Sequence, residues 1–355
     1  MKTLICAGGT GGHVFPALAV AHELRIRGHE VVWMGAPDSF ESRTVPKHGI
    51  AIEFVRVSGL RGKGLLKLLM APLLLLRALV DAVRVLRRQN PDIVLGMGGF
   101  AAGPGGLAAW LLLKPLVIHE QNAVAGFTNR CLSLLARQVL QAFPGTFSAR
   151  SGVTVGNPVR EAVALLPAPA ERLRGRDGPM RVLVIGGSQG SKALNQRMPE
   201  ALRLMPENRR PQVRHQAGRT LEVAQQAYAQ AGVSAEVSAF IDDMATAYAW
   251  ADLVVCRAGA STIAELAAAG CASLLVPFPA AVDDHQTRNG EYLVHAGAAV
   301  LIQERDLSAA RLAQALEELL ASREKLLTMA QAARKAAWPN AVKQIVQYLE
   351  EGGRA

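Results

Sequence analysis

The sequence has 355 residues, half of them hydrophobic, which suits two packed domains better than one and excludes a disordered chain, since no long Ser, Gln or acidic tract occurs. Its net charge of +10 indicates an anionic partner: nucleic acid, a phosphorylated substrate or acidic lipid. The four scattered cysteines form no C-x-x-C pair, which excludes a cysteine metal or redox pair and indicates a reducing compartment.

The first part of the chain alternates short apolar runs with helix-like stretches. The apolar run at the start is too short for a signal peptide, and we interpret it as a first strand. The predicted strands are Thr3–Ala7, Glu30–Trp33, Ile52–Val57, Ile93–Gly96, Pro115–His119 and Gln138–Ala142. Helical patterns cover Ala17–Arg27 and Leu65–Arg88. This β-α-β alternation predicts a parallel, doubly wound sheet.

A change of composition marks the boundary between two domains. Residues 165–179 are rich in proline, glycine and charge, as is typical of a loop after a linker, so we place the boundary near Arg160. A second strand and glycine turn follow over Arg181–Gly190. The later predicted strands are Val213–Gln216, Ala235–Ala239, Leu253–Cys256, Ser273–Val276 and Ala299–Ile302. The same α/β architecture therefore occurs twice, and a last helix over Ala341–Glu350, after Pro339, could cap either domain.

Three glycine clusters stand at residues 8–12, 98–106 and 186–190, and two of them follow the first strand of a predicted domain and open a helix. Glycine permits close backbone approach, and a helix N-terminus offers free N–H groups and a positive dipole end, so phosphate binding is expected. Tight βα turns without a ligand are the alternative. No cluster matches G-x-x-x-x-G-K-[ST] or G-x-G-x-x-G, which disfavours a P-loop enzyme and a dinucleotide oxidoreductase.

A further segment, Arg257–Glu265, follows the predicted strand Leu253–Cys256. Ser261 or Thr262 could cap a helix there, which places Glu265 within its first turns. A carboxylate at that position could accept hydrogen bonds from both hydroxyls of a ribose. A solvated carboxylate favoured by the helix dipole is the alternative.

Several longer motifs extend over nearly the whole chain. They are AGGTGGHVFP at 7–16, SGLRGKG at 58–64, the glycine-rich 96–106, HEQN at 119–122, GNPVR at 156–160, GGSQG at 186–190, FIDDM at 240–244, the segment 256–265 and DHQTRN at 284–289. By these motifs the chain resembles the N-acetylglucosaminyltransferases of bacterial peptidoglycan synthesis, in glycosyltransferase family 28. The resemblance implies a GT-B fold, in which two Rossmann-like parallel-sheet domains face a cleft, with a C-terminal helix at 340–355 joining the first domain.

The resemblance also implies an activity and a place in the cell. The domain at 161–339 would hold the donor UDP-GlcNAc, and the domain at 1–160 would bind the acceptor lipid I, undecaprenyl-pyrophosphoryl-MurNAc-pentapeptide. GlcNAc would pass with inversion to the MurNAc 4-hydroxyl and form the β-1,4 bond of lipid II. Such an enzyme would work as a peripheral protein on the cytoplasmic face of the inner membrane, at an anionic lipid surface, where it could meet other cell-wall synthesis proteins.

Matching positions in the motifs imply individual donor contacts. Ile241 would meet uracil through its backbone, and Glu265 would hold the ribose. Ser188 and Arg160 would lie near the diphosphate. The other implied donor contacts are Asn122, His285 and Gln286 at the GlcNAc, Thr10, Gly11 and Gly12 at its border, and Ala260, Ser261, Thr262, Ile263 and Ala264 along the nucleotide. The chain departs from the family at Phe100, where tyrosine is frequent.

The inverting reaction needs a base for the acceptor hydroxyl and stabilisation of the leaving UDP. His13, at the tip of the first glycine loop, suits the role of base because histidine has an ordinary pKa of about 6.5. A positioning or diphosphate-binding role and a structural role are the alternatives for His13, and Glu120 is the rival base. No D-x-D motif occurs, so the sequence requires no metal or other cofactor, and helix N-termini with Arg160 could carry the diphosphate charge.

The segment 56–88 combines eight basic residues with one acidic residue and a leucine-rich run, which predicts a membrane-docking surface. The expected docking residues are Arg61, Lys63, Lys67, Leu69, Leu73 and Leu76. An ordinary core helix is the alternative. The uncharged stretch 93–113 has the length of a membrane span but contains six glycines and a proline, so no integral span is expected.

Two other functions remain open at this stage. Another GT-B enzyme acting on a UDP-sugar, such as a glycolipid synthase or an epimerase, would share the glycine loops. A nucleic-acid-binding protein would share the positive charge, but aromatic residues make up only 5% of the chain and no interleaved basic and aromatic surface is apparent. We therefore expect no nucleic-acid partner.

Overall fold

The computed structural model describes residues 1–57, 70–147, 152–187 and 189–353, with only the backbone of Val282. The chain divides into two compact units. The first comprises Met1–Val159 together with Asn340–Ala355, and the second comprises Arg160–Pro339. The second unit is therefore inserted, in sequence, between two parts of the first.

The first unit is built on a parallel sheet. Its strands are β1 (Lys2–Cys6), β2 (Glu30–Gly35), β3 (Ala51–Phe54), β4 (Ile93–Gly96), β5 (Leu116–Glu120), β6 (Gln138–Gln141) and β7 (Val153–Thr154). They lie in the order β3-β2-β1-β4-β5-β6-β7, with Leu4 of β1 in register with Val32 of β2 and Val94 of β4. The strand order reverses between β1 and β4, and in parallel α/β sheets the carboxyl ends of strands at such a point form the usual ligand site.

The helices of this unit cover both faces of the sheet. They are α1 (Gly11–Ile26), α2 (Phe40–Thr44), α3 (Ala71–Gln89), α4 (Ala102–Leu111) and α5 (Phe127–Ser133). The expectation that the first helix starts at Ala17 was wrong, because Thr10 accepts from His13 and Val14 and the helix already begins at Gly11. Pro72 lies in the first turn of α3, where a helix needs no N–H.

The second unit repeats the plan. Its parallel strands are β8 (Arg181–Ile185), β9 (Gln212–Gln216), β10 (Glu236–Ser238), β11 (Leu253–Cys256), β12 (Ser273–Leu275) and β13 (Ala299–Leu301), in the order β10-β9-β8-β11-β12-β13. Its helices are α6 (Glu161–Ala164), α7 (Pro169–Arg172), α8 (Lys192–Leu204), α9 (Leu221–Ala231), α10 (Met244–Trp250), α11 (Ala260–Ala269), α12 (His285–His295), α13 (Ala309–Leu320) and α14 (Arg323–Lys335). The predicted α/β class, with two parallel-sheet units, is confirmed.

The last helix, α15 (Ala341–Gly353), belongs to the core of the first unit. Ile345, Val346 and Leu349 are fully buried in the same apolar cluster as Ile5 and Trp33 of the first two strands. The amphipathic pattern of this helix thus covers one face of the first sheet.

Candidate active site

The first glycine loop connects β1 to α1 and is held by a buried carboxylate. Glu41, on α2, is 1% exposed; its two carboxylate oxygens accept from the backbone N–H of Gly9 and of Ala36, both at 3.0 Å. Thr10 and Gly12 are exposed beside it, and Gly11 is half-buried. Glu41 therefore fixes the loop that presents the N-terminus of α1. Sequence reasoning did not identify Glu41, which lies in no recognisable motif.

His13 lies in the first turn of α1 and contacts the end of β5. Its Nδ1 lies 2.9 Å from Oε1 of Gln121, and Nε2 of Gln121 lies 3.1 Å from Nδ1 of His119. His119 is fully buried, and its Nε2 lies 2.9 Å from the carbonyl oxygen of Gly156. A Cβ at Gly98 would lie 2.8 Å from the His13 ring, and Gly98 has a φ of +86°, so glycine is needed there.

Glu120, the rival base, is occupied by its own loop. The carboxylate is 2% exposed. Its Oε1 accepts from the backbone and side-chain amides of Asn122, at 3.0 and 3.2 Å, and its Oε2 accepts from the backbone of Gly126 at 3.1 Å and from Asn129 at 2.8 Å. The geometry therefore favours the strand-end structural role for Glu120 and leaves His13 as the better candidate base. Asn122, which was expected at the donor sugar, is hydrogen-bonded to the Glu120 carboxylate.

The third glycine cluster, at residues 186–190, follows β8 and packs closely on the loop after β9. A Cβ at Gly218, which has a φ of +66°, would lie 2.3 Å from the backbone nitrogen of Gly190. Asn195, on α8, is fully buried, and its side-chain amide donates to Ala217 at 3.1 Å and to the hydroxyl of Thr220 at 2.8 Å. Ser188 lies outside the described residues.

A buried polar network supports this pair of loops. Nε2 of His215 lies 3.0 Å from Oδ1 of Asn195, and its Nδ1 lies 3.0 Å from the hydroxyl of Tyr228. Burial lowers the pKa of His215 to about 3, so the ring stays neutral at any physiological pH. In the sequence these residues are ordinary polar positions, and no motif indicates that their side chains are in contact.

Helix α11 starts at Ala260, before either expected cap. Gly259, with an extended backbone, is its N-cap, and Ile263 donates to the Gly259 carbonyl at 2.9 Å. The expectation that Ser261 or Thr262 caps the helix was therefore wrong: both lie in the first turn, as do Ala260 and Ile263, with Ala264 next. The side-chain hydroxyl of Ser261 is buried.

Glu265, in the second turn of α11, is bound by two side chains. Nε and Nη2 of Arg160 donate to its two oxygens at 2.7 and 2.8 Å, and the hydroxyl of Tyr248 donates at 3.1 Å. Burial raises the pKa of Tyr248 well above its usual value, so its hydroxyl keeps the proton that it donates. Arg160 was expected at the diphosphate and Glu265 at the ribose. The structure instead pairs the two side chains with each other.

The other expected donor residues follow β10 and β12, which are not adjacent in the sheet. Ile241 comes after β10, and it is half-buried. His285 starts α12 directly after Asp283 and Asp284, which both have a positive φ. Gln286 is turned back to the preceding loop, where its Oε1 accepts from the backbone of Phe278 at 3.0 Å.

Comparison with known proteins decides which of the open functions applies. The model of the glycosyltransferase family 28 N-terminal domain matches residues 3–141, and the model of the family's C-terminal domain matches residues 181–345. This chain belongs to glycosyltransferase family 28. The resemblance inferred from the motifs is therefore confirmed, and the chain is a glycosyltransferase.

Relatives within family 28 match over nearly their full length. A protein of Marinobacter nauticus is 56% identical over 99% of this chain and 97% of its own, and one of Alkalilimnicola ehrlichii is 56% identical over 100% and 99%. Both are named UDP-N-acetylglucosamine–N-acetylmuramyl-(pentapeptide) pyrophosphoryl-undecaprenol N-acetylglucosamine transferase. The crystal structure of Acinetobacter baumannii MurG is 41% identical, with a TM-score of 0.87 over 99% of both chains.

In this family 28 chain, the candidate donor residues of the second unit gather at the carboxyl ends of its strands. The loop at 186–190 follows β8, Ile241 follows β10 and Glu265 lies on the helix after β11. Parallel α/β sheets bind ligands at that edge. Within the described residues, no three His, Cys, Asp or Glu side chains gather as metal ligands would.

The expected docking segment is partly described. On α3, Leu73 and Leu76 are 63% and 57% exposed. The single acidic residue of the segment, Asp81, is buried and accepts from the guanidinium of Arg56 at 2.6 and 2.7 Å. Arg61, Lys63, Lys67 and Leu69 lie outside the described residues.

Helix α3 packs against α4, whose end exposes further apolar side chains. Trp110 and Leu111 are about half exposed, and Leu113 is 91% exposed. Scattered single apolar side chains are normal on a protein surface, but several on adjacent helices form a candidate interaction surface. None of the helices in the described ranges combines the length and the hydropathy that crossing a bilayer demands.

Proposed function

We propose that this chain is an inverting glycosyltransferase that moves GlcNAc from UDP-GlcNAc to the MurNAc 4-hydroxyl of undecaprenyl-pyrophosphoryl-MurNAc-pentapeptide, converting lipid I to lipid II. One observation carries the proposal: both halves of the chain match family 28 domains, and relatives named for this reaction match it at 56% identity over almost the entire length of both chains.

The proposed chemistry is a single displacement. The acceptor oxygen forms a bond to the anomeric carbon of GlcNAc while the bond from that carbon to the diphosphate oxygen breaks. The proton of the acceptor hydroxyl passes to His13, and UDP leaves with the bonding electron pair. His13 suits this role because it is only half-buried and stands at the start of α1, whereas Glu120 is enclosed by four hydrogen bonds.

The second unit is proposed to hold the donor, and the first to bind the acceptor. Glu265 would accept from the ribose hydroxyls, the backbone of Ile241 would meet uracil, and Arg160 with the loop of Ser188 would face the diphosphate. Helix α11 contributes the positive end of its dipole to the same edge of the sheet. The remaining proposed sugar contacts are Asn122, His285 and Gln286.

The proposal includes docking to an anionic membrane surface, on the cytoplasmic face of the inner membrane, without a membrane span. A polyprenyl acceptor cannot leave the bilayer, so the enzyme must reach the surface. The exposed leucines of α3 and the excess of basic residues in the segment 56–88 provide apolar and electrostatic attraction together.

One experiment tests the proposal directly. The purified chain is incubated with radiolabelled UDP-GlcNAc and a lipid I analogue, and the products are separated into lipid and aqueous fractions. Label in the lipid fraction that depends on the acceptor is the expected result. Label released as free GlcNAc, or converted to another UDP-sugar without any acceptor, would contradict the proposal.

A further inference from the structure

A continuous chain of hydrogen bonds extends from the buried end of β5 to the candidate base. Starting at the carbonyl of Gly156, it passes through both ring nitrogens of His119 and the side-chain amide of Gln121, and it ends at Nδ1 of His13. Gln121 is 1% exposed and His119 is 0% exposed, so water does not compete for these positions. His119 and Gln121 have no part in the mechanism proposed above.

The direction of the hydrogen bonds is determined by two backbone carbonyls, which can only accept. Because the Gly156 carbonyl accepts from Nε2 of His119, that nitrogen carries the proton. The carbonyl of His119 lies 3.2 Å from Nε2 of Gln121, which identifies this atom as the amide nitrogen. It donates to the lone pair on Nδ1 of His119, and Oε1 of Gln121 then faces His13 as an acceptor.

The His119 ring must be neutral for these donor and acceptor roles to hold. If the ring were charged, its Nδ1–H would face the N–H of the Gln121 amide, and neither could accept. Burial lowers the pKa of His119 to about 4, although the Gly156 carbonyl and the charge of Glu120 oppose that shift. The nearby carboxylates are engaged elsewhere: Glu41 accepts from the backbone of Gly9 and Ala36, and Glu120 accepts from its own loop. The group facing Nδ1 of His13 is the neutral amide of Gln121.

We infer that Gln121, oriented by His119, is a positioning residue that keeps the proton of the neutral His13 ring on Nδ1 and leaves the lone pair on Nε2 for the acceptor hydroxyl. The inference rests on the proposed role of His13 as the base. The hydrogen bond at one ring nitrogen of a histidine sets the protonation of the other. A neutral amide achieves this without the charge that a carboxylate partner would add.

The test measures the position of the proton directly. The full chain is labelled with ¹⁵N at its histidine rings, and the His13 signals are assigned by their loss in His13→Gln. Long-range proton–nitrogen correlation at neutral pH then distinguishes the two tautomers. We expect the Nδ1–H form in the wild-type protein and a substantial Nε2–H population in Gln121→Met, which removes the acceptor while keeping the side-chain size.

Kinetics supply the second readout. Gln121→Met should lower kcat at least about tenfold, which is part of the 10²–10⁴-fold that a general base contributes in total. It should leave the KM for UDP-GlcNAc within about twofold of the wild-type value. Gln141→Met is the matched control: Gln141 is also a buried glutamine, at the end of the next strand, but its hydrogen bonds go to Thr154 and Phe147. The control should change neither the His13 tautomer nor kcat by more than a few-fold.

Two results would overturn the inference: an Nε2–H tautomer of His13 in the wild-type protein, or an unchanged Nδ1–H tautomer in Gln121→Met. If the methionine variant fails to fold, Gln121→Glu retains an acceptor and adds a negative charge. It should keep the proton on Nδ1 and move the acidic limb of the kcat/KM profile to higher pH, and an unmoved limb would contradict the inference. Because the tautomer is measured without turnover, full activity of His13→Ala would remove the base assignment and leave the positioning result standing.

Discussion

The ion pair between Arg160 and Glu265 predicts that one substitution will change the binding of uridine and of UDP in opposite directions. A carboxylate offers about four lone-pair positions. Arg160 takes two of them, at 2.7 and 2.8 Å, and the Tyr248 hydroxyl takes a third at 3.1 Å. Two ribose hydroxyls must therefore compete with Arg160 for Glu265, whereas a diphosphate would attract Arg160 to itself.

The size of the effect follows from the exposure of the pair. The Arg160 side chain is 50% exposed and the Glu265 side chain 12% exposed. Because water reaches the arginine, we assign the pair about 0.2–1 kcal/mol, the range for solvent-exposed ion pairs. Arg160→Met removes this competition and should tighten uridine binding about 1.4- to 5-fold, because 1.4 kcal/mol corresponds to tenfold. For UDP, the loss of charge-assisted hydrogen bonds to Arg160, about 1.5–3 kcal/mol, exceeds that gain, so its affinity should fall roughly 2- to 100-fold.

Calorimetric titration measures the affinity for UDP, and a competition titration against UDP measures the affinity for uridine, the weaker ligand. Arg197→Met is a suitable control, since Arg197 is a similarly exposed arginine of the second unit that pairs with Glu200 on the same helix. The control should leave both affinities unchanged. If Arg160→Met weakened uridine and UDP in parallel, Arg160 would be part of the nucleoside site and the competition argument would be refuted. An unchanged UDP affinity would remove Arg160 from the diphosphate.

Three further predictions concern the donor, the base and the membrane. Glu265→Ala should weaken UDP binding by roughly 1.5–3 kcal/mol, the contribution of hydrogen bonds to a charged group; calorimetry checks this, and unchanged affinity would exclude Glu265 from the ribose site. His13→Ala should lower kcat about 10²–10⁴-fold while UDP still binds, because the nucleotide is assigned to the second unit; turnover within a few-fold of wild type would place the base elsewhere. Replacing Leu73 and Leu76 together by serine should weaken binding to anionic vesicles about tenfold or more, if each leucine contributes about 1 kcal/mol by partial insertion. Co-sedimentation at low salt and sub-saturating lipid measures this against Leu204→Ser, a similarly exposed leucine of the second unit, and equal binding of the two variants would locate the docking surface elsewhere.

Local patterns in the sequence were sufficient for the fold class. Apolar runs such as 93–96 and 253–256 are short, uncharged and followed by glycine or by a helical pattern, so their length predicted strands and the β-α-β alternation predicted parallel pairing. The two-residue strand β7 (Val153–Thr154) was not predicted, because two residues carry no period. The start of α1 was missed for a related reason: glycines and Pro16 are poor helix formers, and tertiary context overrode that preference.

The residues that support the site could not be identified from the sequence. Glu41 meets Gly9 across 32 positions, and Gln121 meets His13 across 108. Motifs identified the glycine loop and the HEQN segment, but a motif shows residue types and not their partners. The pairing of Arg160 with Glu265, 105 positions apart, could not be inferred from either motif, since each residue had a plausible role without the other.

The burial of α15 in the first unit has a consequence for how the protein is made. A ribosome releases all of the second unit before it releases Ile345 and Leu349, which complete the apolar core around Ile5. The second unit can therefore reach its native state during synthesis, while the first unit keeps one face of its sheet uncovered until α15 has been released. During that interval the first 159 residues are the aggregation-prone part of the polypeptide, and a premature stop near residue 340 would leave a folded second unit attached to an incomplete first unit.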